Sequence, residues 1–344
     1  MSAKGRILVT GAAGFTGLNA IPILIEKGYD VVATDVNVAE KDRIEKMGAK
    51  FVKCDLTDPE SLKSVVRDVD FVLHIAALFR YSAPLDILRK INVEGTRNLL
   101  ESLRQYGNPK FIVVWSSVAA YGIADEKHYR IPITEDQPLN PNCPGNYDLS
   151  KREQENVVRE YVEKYGLPAT MIRPAPIYGP GNRYGVYNII KYVAKETLTI
   201  MPRNTQKVSV PLVHVRDTIE SAIFLLGKKT AIGEAYNVVD DNVLNARDTL
   251  MFIASFFDAK PYITIPLPLS LVGKLLMFGG KVAEKKARKR NQPPKLEMDM
   301  LNYLFGNYYF SNEKIKKLGY HFLYPDRRIG LAETIVWYKQ NGWL

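Results

Sequence analysis

Short apolar runs alternate with amphipathic stretches over the first third of the chain. The apolar runs predict strands at 6–9, 31–34, 50–53, 71–74 and 111–115. Between them, residues 61–66 and 85–104 repeat apolar side chains at the spacing of a helix face. Apolar strands that alternate with helices belong to parallel sheets whose two faces are both covered. The pattern therefore predicts an α/β fold, with a parallel sheet between two layers of helices.

A glycine-rich turn follows the first predicted strand and opens a helical pattern. It reads Gly11-Ala12-Ala13-Gly14-Phe15-Thr16-Gly17. Glycines allow a phosphate to approach backbone N–H groups, and a helix N-terminus contributes partial positive charge. The spacing G-x-x-G-x-x-G differs from the G-x-G-x-x-G dinucleotide fingerprint, so the turn alone fits a surface loop equally well.

An acidic residue farther along the chain favours the dinucleotide interpretation. Asp35 ends the second predicted strand, about 20 residues beyond the turn, where a carboxylate meets the adenosine ribose in dinucleotide-binding folds. We therefore expect the turn to bind a dinucleotide through Gly11, Ala13, Gly14, Phe15, Thr16 and Gly17.

The third and fourth predicted strands end in residues that suit a bound ring. Asp55 and Leu56 follow the third strand, where Asp55 could accept from an adenine amino group or cap the next helix. Ala76 and Ala77 are small enough for a flat ring to approach the backbone. His74, at the end of the fourth strand, is expected to be packed and hydrogen-bonded rather than catalytic.

A tyrosine and a lysine open a long helix that is predicted to run to about residue 165. Tyr147 and Lys151 are four residues apart, so they share one helix face. Tyrosine has a pKa of ~10, and a neighbouring ammonium favours the phenolate. Tyr147 is thus a plausible acid/base, with Ser117 at the end of the fifth strand bonding the same substrate oxygen. Such a pair occurs by chance in many proteins, but its place after a nucleotide-binding half favours catalysis.

Composition sets broader limits on function. A net charge of +10 admits nucleic acid, anionic lipid or a polyanionic cofactor as partners. The only cysteines, Cys54 and Cys143, lack metal-ligand spacing, so no bound metal and no disulfide framework is expected. The first predicted strand begins at Arg6, and no apolar run approaches the ~20 residues of a spanning helix. We therefore expect no signal peptide and a cytoplasmic protein.

Taken together, these residues resemble the extended short-chain dehydrogenase/reductase superfamily. The matching segments are Thr10-Gly11-x-x-Gly14-x-x-Gly17, Asp35, Asp55-Leu56, Ala76-Ala77, Asn92, Ser116-Ser117, Tyr147-x-x-x-Lys151 and Arg173-Pro174-x-x-x-Tyr178-Gly179-Pro180-Gly181. The resemblance implies a Rossmann-type doubly wound parallel sheet over 1–174, to which 207–240 returns. It also implies a smaller C-terminal substrate-binding lobe from 175–206 and 241–325, a C-terminal helix over 326–344, and a homodimer through the helices near 85–105 and 148–165.

The resemblance also assigns roles to residues. Tyr147 becomes the general acid/base, Lys151 lowers its pKa and holds the nicotinamide ribose, and Ser117 orients the substrate oxygen. Asn92 supports the lysine or a water relay. Further contacts to the cofactor are implied for Ser116, Tyr147, Lys151, Pro174 and Ile177.

The type of dinucleotide follows from Asp35. Its carboxylate would accept from both ribose hydroxyls and repel a 2′-phosphate. The next residues are Val36 and Asn37, so no arginine immediately follows to receive that phosphate. NAD is therefore expected rather than NADP.

Three branches of the superfamily compete. Sugar-nucleotide dehydratases carry an acid pair just after the catalytic serine, where this chain has Val118 and Ala119. Sugar-nucleotide epimerases often place an arginine four residues before His214 to bind a diphosphate, where this chain has Val210. Other cations could serve the same purpose, so a 4-epimerase stays open as the alternative; they are Arg183, Lys191 and Arg203.

The third branch, which resembles 3β-hydroxysteroid dehydrogenases and dihydroflavonol reductases, acts on apolar molecules and is the favoured hypothesis. Its support is an apolar helical pattern with Leu271, Leu275, Leu276 and Phe278, and an aromatic cluster of Tyr303, Phe305, Tyr308, Tyr309 and Phe310. The predicted substrate is a steroid-, isoprenoid- or flavonoid-like alcohol or ketone. A dinucleotide-binding sensor or scaffold without turnover is the alternative of another class, although such proteins commonly lose the Tyr or the Lys.

A basic cluster follows the apolar pattern, and it indicates a possible contact of 270–290 with an anionic membrane. It contains Lys281, Lys285, Lys286, Arg288, Lys289 and Arg290. A solvated end of a substrate-lobe helix explains the same residues. Nucleic acid is not expected as a partner, because no aromatic platform accompanies the bases.

Overall fold

A computed structural model of the chain describes most of its residues. The described residues are 4–122, 124, 127–143, 145–195, 200–242, 244–257, 263–268 and 309–344, with 271, 272, 274, 275, 278–280, 282 and 285. The predicted positions Leu276, Lys281, Lys286, Arg288, Lys289, Arg290, Tyr303, Phe305 and Tyr308 lie outside them.

Eleven strands are assigned among the described residues. They are β1 (Arg6–Thr10), β2 (Asp30–Asp35), β3 (Lys50–Lys53), β4 (Phe71–His74), β5 (Phe111–Trp115), β6 (Ala169–Pro174), β7 (Ile177–Tyr178), β8 (Ile200–Arg203), β9 (Val213–His214), β10 (Ala235–Val238) and β11 (Ile263–Pro268). All five predicted strands are present, and only β1 and β2 extend beyond their predicted ends.

The helices follow the strands in alternation. They are α1 (Phe15–Glu26), α2 (Lys41–Lys46), α3 (Pro59–Leu62), α4 (Leu85–Leu88), α5 (Gly95–Tyr106), α6 (Asn146–Tyr165), α7 (Val186–Ala194), α8 (Val215–Leu225), α9 (Ala246–Ala254), α10 (Glu313–Lys317) and α11 (Arg327–Gln340). A π-helical segment, Arg89–Glu94, joins α4 to α5, so the helix predicted over 85–104 is not regular throughout. The helix predicted over 61–66 ends already at Leu62.

Seven parallel strands form the central sheet, in the order β3-β2-β1-β4-β5-β6-β10. Ile7 of β1 pairs with Val31 on one side and with Phe71 on the other. Successive strands are added on one side of β1 as far as β3, and on its other side from β4 onward. This strand order is that of a doubly wound Rossmann-type fold. The fold class predicted from the sequence is confirmed.

Both faces of the sheet are buried, which explains why its strands are apolar throughout. In β1, Ile7 and Val9 belong to one apolar cluster, whereas Leu8 belongs to a second cluster with Ile112 on the other face. Successive residues of a strand point to opposite faces, so an apolar run without alternation fills two cores at once.

The chain returns to the central sheet after β9. Strand β10 adds to the edge of the sheet beside β6. Helix α8, which precedes β10, packs against the sheet through Ile219 and Ala222. The segment predicted over 207–240 therefore completes the central sheet.

A smaller apolar cluster lies beyond the sheet, where α7, α9 and α11 meet. It includes Tyr178, Ile190, Ile253 and Leu331. Two short parallel pairs accompany it, β7 with β9 and β8 with β11. Helix α11 (Arg327–Gln340) lies within the range 326–344, where the sequence predicts a C-terminal helix.

The C-terminal part of the predicted lobe packs elsewhere. Phe310, Ile315, Tyr320 and Phe322 belong to the main cluster against the sheet. The predicted range of 241–325 therefore includes a segment that packs against the core of the central sheet. Within the described residues, none of the helices has the length and apolar character needed to cross a membrane.

Candidate active site

The glycine turn between β1 and α1 is shaped to receive an anion. Gly11 has a φ of +69°, and a Cβ there would lie 2.8 Å from the backbone nitrogen of Ala76. A Cβ on Gly17 would overlap the Gly11 carbonyl oxygen. Gly14 provides no side chain to cap α1, and the first turn of that helix carries no acidic residue. Its N–H groups, including those of Phe15 and Thr16, are thus left to an external acceptor, as a pyrophosphate requires.

Asp35 lies directly beside this turn. One carboxylate oxygen accepts from the Ala13 N–H at 3.0 Å, and the other accepts from the Asn37 N–H at 2.9 Å. Each carboxylate oxygen has two lone pairs, so both can still accept a ribose hydroxyl. The arrangement fits NAD.

Asp55 and Leu56 serve the local backbone in the described structure. The Asp55 carboxylate accepts from the Thr57 N–H at 2.8 Å, which is an Asx turn. The cap of α3 is Asp58, which accepts from the Glu60 N–H, so the helix-cap alternative for Asp55 is wrong. Leu56 is buried against the sheet. A contact from either residue to adenine stays a prediction.

The loop after β4 lies against the glycine turn. The Ala76 N–H donates to the Thr10 hydroxyl at 3.2 Å, and the close approach to Gly11 leaves room only for small residues at 76. Ala77 follows, partly exposed. His74 is 1% exposed and bonds Thr10 and Thr96, each at 2.8 Å. It is therefore the packed histidine that the sequence predicted.

Tyr147 and Ser117 lie close together. The Ser117 hydroxyl is near enough to the Tyr147 phenol to lower its pKa, and Ser117 also caps the short 3₁₀ turn Val118–Tyr121. Tyr147 is only 5% exposed. Burial raises the pKa of Tyr147, nearby Asp148 raises it further, and Ser117 lowers it in part.

Lys151 corrects one expectation. Its ammonium lies 6.0 Å from the centre of the Tyr147 ring, where it donates to the Trp115 carbonyl at 2.8 Å and to the Gln154 side chain at 2.9 Å. Burial lowers the pKa of Lys151 to about 7, although Glu155 opposes this shift. The expected acidification of Tyr147 by Lys151 is thus absent in the protein alone, because loss of water disfavours the phenolate more than its neighbours stabilise it. Tyr147 is a phenol at neutral pH.

Ser116 faces away from the predicted cofactor position. Its hydroxyl donates to Glu155 at 2.6 Å. Glu155 is fully buried and forms a bidentate ion pair with Arg173, at 2.8 and 2.7 Å. Burial alone would raise the pKa of Glu155, but Arg173 lowers it to about 2. The Ser116 side chain is thus engaged with Glu155, and a contact of Ser116 to the cofactor stays a prediction.

Pro174, Ile177 and Asn92 are the remaining predicted residues. Pro174 ends β6 and Ile177 begins β7, at the carboxyl edge of the sheet. Asn92 is buried in the π-helical segment and bonds the backbone of Leu78 and the Ser150 hydroxyl, so it reaches neither Lys151 nor a reacting group. Its hydrogen bonds anchor the loop after β4 to α6 and none of them supports the lysine, while the predicted water relay stays a prediction.

Aromatic side chains surround Tyr147, and sequence reasoning missed them. The rings of Phe79 and Tyr81 meet the Tyr147 ring edge-on, at 5.1 and 5.2 Å between centroids. Tyr184 approaches Phe79 at 6.4 Å. Phe79 is 52% exposed and Tyr184 is 66% exposed. The available signal was Phe79, an aromatic residue two positions after the Ala76-Ala77 pair.

The residues that would mark a sugar-nucleotide site are apolar or engaged. Val118 and Ala119 are buried, and Val210 packs against the small apolar cluster around Leu212. The Arg183 guanidinium lies 4.2 Å from the Trp343 ring centre, and Lys191 lies 5.7 Å from that of Tyr187. Of the three alternative cations, Arg183 and Arg203 are exposed and Lys191 is half-buried.

Comparison with known proteins identifies the family. The NAD dependent epimerase/dehydratase family matches residues 7–238, which is more than half of the chain. A putative UDP-glucose 4-epimerase of Methanocaldococcus jannaschii is 31% identical over 259 residues, covering 69% of this chain and 82% of that protein.

Longer matches extend over nearly the whole chain. The 3-beta-hydroxysteroid dehydrogenase of Mycolicibacterium neoaurum is 26% identical over 352 residues, covering 97% of this chain and 91% of that protein. The crystal structure of gox2253 has a TM-score of 0.78 and 27% identity, over 98% of this chain and 99% of that one. The chain belongs to the NAD dependent epimerase/dehydratase family of extended short-chain dehydrogenases/reductases, and is an enzyme that acts on CH–OH groups with NAD as its cofactor.

Proposed function

We propose that this enzyme interconverts a secondary hydroxyl and a ketone on an apolar substrate. Tyr147 exchanges the proton, Ser117 orients the reacting oxygen, and Lys151 positions the nicotinamide ribose. A steroid-, isoprenoid- or flavonoid-like molecule is the substrate class that the surroundings of Tyr147 favour.

The observation that carries this proposal is the aromatic surface beside Tyr147. Phe79 and Tyr184 leave about half or more of their surface exposed, at 52% and 66%. Both belong to a ring cluster that reaches Tyr147 through the Phe79 edge contact at 5.1 Å. Exposed rings next to a reacting group stabilise an apolar ligand, since each aromatic pair adds roughly 0.5–1.5 kcal/mol beyond the burial of area. A hydroxylated sugar would gain less from the same surface.

The side chains define the proton transfer in both directions. In reduction, the Tyr147 O–H proton moves to the ketone oxygen while a hydride joins its carbon. In oxidation, the hydroxyl proton moves to the Tyr147 oxygen while the carbon loses a hydride. The hydride is exchanged with NAD. Because burial keeps Tyr147 protonated in the protein alone, the phenol is ready to act as the acid.

The proposed preference for NAD over NADP rests on Asp35. Its two carboxylate oxygens lie at the end of β2, held by the N–H groups of Ala13 and Asn37. A 2′-phosphate at this position would meet a carboxylate at close range and would be repelled.

A substrate screen tests the proposal. The purified enzyme is given NAD⁺ or NADH with sterol-like, isoprenoid and flavonoid alcohols or ketones, and separately with UDP-sugars, while NADH absorbance and sugar configuration are followed. We expect stoichiometric NADH change with an apolar substrate. Epimerised sugar without net NADH change would overturn the proposal.

Variants connect the result to the aromatic surface. Phe79→Ala and Tyr184→Ala should raise KM for the apolar substrate about tenfold each, while KM for NAD⁺ stays within about twofold. Tyr165→Ala is the matched control, because this exposed tyrosine lies ~27 Å along α6 from Tyr147, at 1.5 Å per residue. Equal effects of all three substitutions would exclude Phe79 and Tyr184 as the substrate surface.

A nucleotide-sugar 4-epimerase is the second candidate. The observation that favours it is the 31% identity to the putative UDP-glucose 4-epimerase of Methanocaldococcus jannaschii. The same Tyr147, Ser117 and Lys151 would serve it, since an epimerase oxidises and reduces one carbon in turn. Against it, Val210 packs among apolar residues where a diphosphate-binding arginine is expected.

We also propose that the enzyme is cytoplasmic and contacts an anionic membrane surface through the segment 270–290. Leu271, Leu275, Phe278 and Val282 recur at helical spacing and are 41%, 59%, 72% and 52% exposed. Lys274 and Lys285 are exposed beside them, and each basic residue near such a surface contributes ~1 kcal/mol. Apolar side chains flanked by lysines match a lipid interface, from which an apolar substrate would reach the site.

Vesicle flotation tests the membrane contact. The enzyme should float with phosphatidylcholine vesicles only when phosphatidylglycerol is included, and less so at high salt. Phe278→Ser and Lys285→Glu should each weaken flotation, whereas the exposed Leu323→Ser should not. Equal binding to neutral vesicles, or none to either, would contradict the proposal.

Homodimer formation through α5 and α6 is a further proposal. Their outer faces border a groove of about 370 Å³ with a charged lining that includes Arg89, Arg97, Glu153 and Glu160. Light scattering should give twice the chain mass of 38.9 kDa, and Arg97→Glu should lower it by placing a second acid beside Glu160. A monomeric wild-type protein would exclude the interface.

A further inference from the structure

A continuous set of buried hydrogen bonds joins Lys151 to the glycine turn. The Lys151 ammonium donates to the Gln154 side-chain oxygen at 2.9 Å, and the Gln154 amide donates to the Thr96 hydroxyl at 2.9 Å. His74 bonds that hydroxyl through Nε2 and the Thr10 hydroxyl through Nδ1, each at 2.8 Å. None of these five side chains is more than 2% exposed.

The Thr96 hydroxyl fixes which group donates and which accepts in every bond of this set. The Thr96 hydroxyl donates to the Asn92 carbonyl at 2.7 Å, so it must accept from both Gln154 and His74. His74 therefore carries its proton on Nε2, and its Nδ1 accepts from the Thr10 hydroxyl. Thr10 in turn accepts from the Ala76 N–H at 3.2 Å.

This assignment leaves His74 neutral, since a second ring proton would face a hydroxyl that is already donating to it. Burial, and then the charge of Lys151, lower the pKa of His74 to about 3, in agreement with the geometry. The acceptors of Lys151 are both uncharged, namely the Gln154 amide and the Trp115 carbonyl.

We propose that Gln154 is a positioning residue for catalysis, which holds the Lys151 ammonium against α6 and ties it through Thr96 and His74 to the strand that leads into the glycine turn. Because Gln154 is uncharged, it fixes the ammonium without the strong stabilisation of positive charge that a carboxylate would give. This inference rests on the proposed roles of Lys151 and Tyr147, and it adds a residue that controls the charge of Lys151.

Other groups also face Lys151. On α6 they are Tyr147, one turn away, and Glu155, which favours the charged ammonium but is neutralised by Arg173 and Arg159. From β4 comes the neutral His74, and from β5 only a backbone carbonyl. Gln154 is thus the side chain that directly contacts the ammonium, and a substitution of Gln154 can change the charge beside it.

The test is a titration of Lys151 in the enzyme without cofactor, by NMR of ¹³C-labelled lysine, with Lys151→Met to assign the signal. Gln154→Glu should raise the Lys151 pKa by at least about one pH unit, and Gln154→Leu should lower it. Glu153→Gln is the matched control, because it changes the charge by one at the half-buried neighbour of Gln154 that pairs with Arg89; it should leave the titration as in wild type.

The pH profile of kcat gives the functional readout. The alkaline limb of the profile should move to higher pH in Gln154→Glu and to lower pH in Gln154→Leu. Thr96→Val should shift the profile in the same direction as Gln154→Leu. Thr96→Ser keeps the hydroxyl and should have the wild-type profile. This second pair of variants provides the test if Gln154→Leu does not fold. An unchanged titration in Gln154→Glu would overturn the inference. A shifted titration with an unshifted pH profile would instead overturn the proposed role of Lys151.

Discussion

The Asn92 side chain holds both backbone groups of Leu78. Its oxygen accepts from the Leu78 N–H at 2.7 Å, and its amide donates to the Leu78 carbonyl at 3.2 Å and to the Ser150 hydroxyl at 3.0 Å. Leu78 precedes Phe79, and Ser150 lies on α6 beside Lys151. One amide therefore holds the loop that carries Phe79, the proposed substrate surface, in register with α6. The π-helical segment around Asn92 fits this role, since such segments often occur at functional sites.

Removal of this amide should affect stability and substrate binding together. Asn92→Ala loses three hydrogen bonds, which should lower the free energy of unfolding by about 1–3 kcal/mol and raise KM for the apolar substrate. Urea unfolding and initial rates measure the two effects. Asn312→Ala is the control, because buried Asn312 holds the Val239 carbonyl in the same manner beside α10. If both variants raise KM alike, Asn92 has no special link to the substrate surface.

His74 should make the protein sensitive to acid. Its folded pKa, near 3, is below the ordinary value of ~6.5, so the unfolded chain binds more protons between these values. Stability should then fall as pH drops from about 6.5 toward 3, with a limiting slope of ~1.4 kcal/mol per pH unit from this group. In His74→Asn, the unfolding free energy should change less steeply with pH than in the wild type. In His321→Asn, which replaces an exposed histidine, the dependence on pH should be that of the wild type. Identical slopes would contradict the neutral assignment.

Asp35 should decide between the two nicotinamide cofactors. Asp35→Ala removes the charge that repels a 2′-phosphate and the acceptor for the ribose hydroxyls. The ratio of kcat/KM for NADH to that for NADPH should fall at least about tenfold, equivalent to ~1.4 kcal/mol. Asp55→Ala, at the end of the neighbouring strand, serves as the comparison and should change the ratio less. An unchanged ratio in Asp35→Ala would place the ribose elsewhere.

Glu155 and Arg173 should stabilise the fold only when both are present. Glu155→Gln leaves the Arg173 guanidinium, which is only 3% exposed in the wild type, without its carboxylate. The expected loss of stability is about 3–5 kcal/mol. The double variant with Arg173→Met should lose less than the two single variants summed. Additive losses, measured by denaturant unfolding, would show that the two residues act independently.

The sheet could be predicted because its information is local. The ends of β3, β4 and β5 follow from apolar runs bounded by polar residues. The Gly11 turn, and the place of Tyr147 and Lys151 in the same helix, follow from short spacings. These features depend on backbone geometry within one or two elements. The motifs of the dinucleotide domain were therefore readable without the structure.

What could not be predicted depends on distant segments. Phe79 and Tyr184 come together from loops far apart in the chain, and nothing in either sequence segment encodes their approach. Ser116 and Ser117 differ only in which face of β5 they occupy, and one register step decides that Ser116 bonds Glu155. Gln154 was visible as a polar residue on the Lys151 side of α6, but its partners Thr96 and His74 come from other elements.

The most direct measurement of the central claim compares Tyr147→Phe with the wild type, using an apolar secondary alcohol and NAD⁺. NAD binding is measured by calorimetry, and NADH formation is measured by absorbance in the same preparations. We predict unchanged NAD affinity and a kcat that falls by about 10²–10⁴, the usual contribution of a general acid or base. Turnover in Tyr147→Phe equal to that of the wild type would contradict the account.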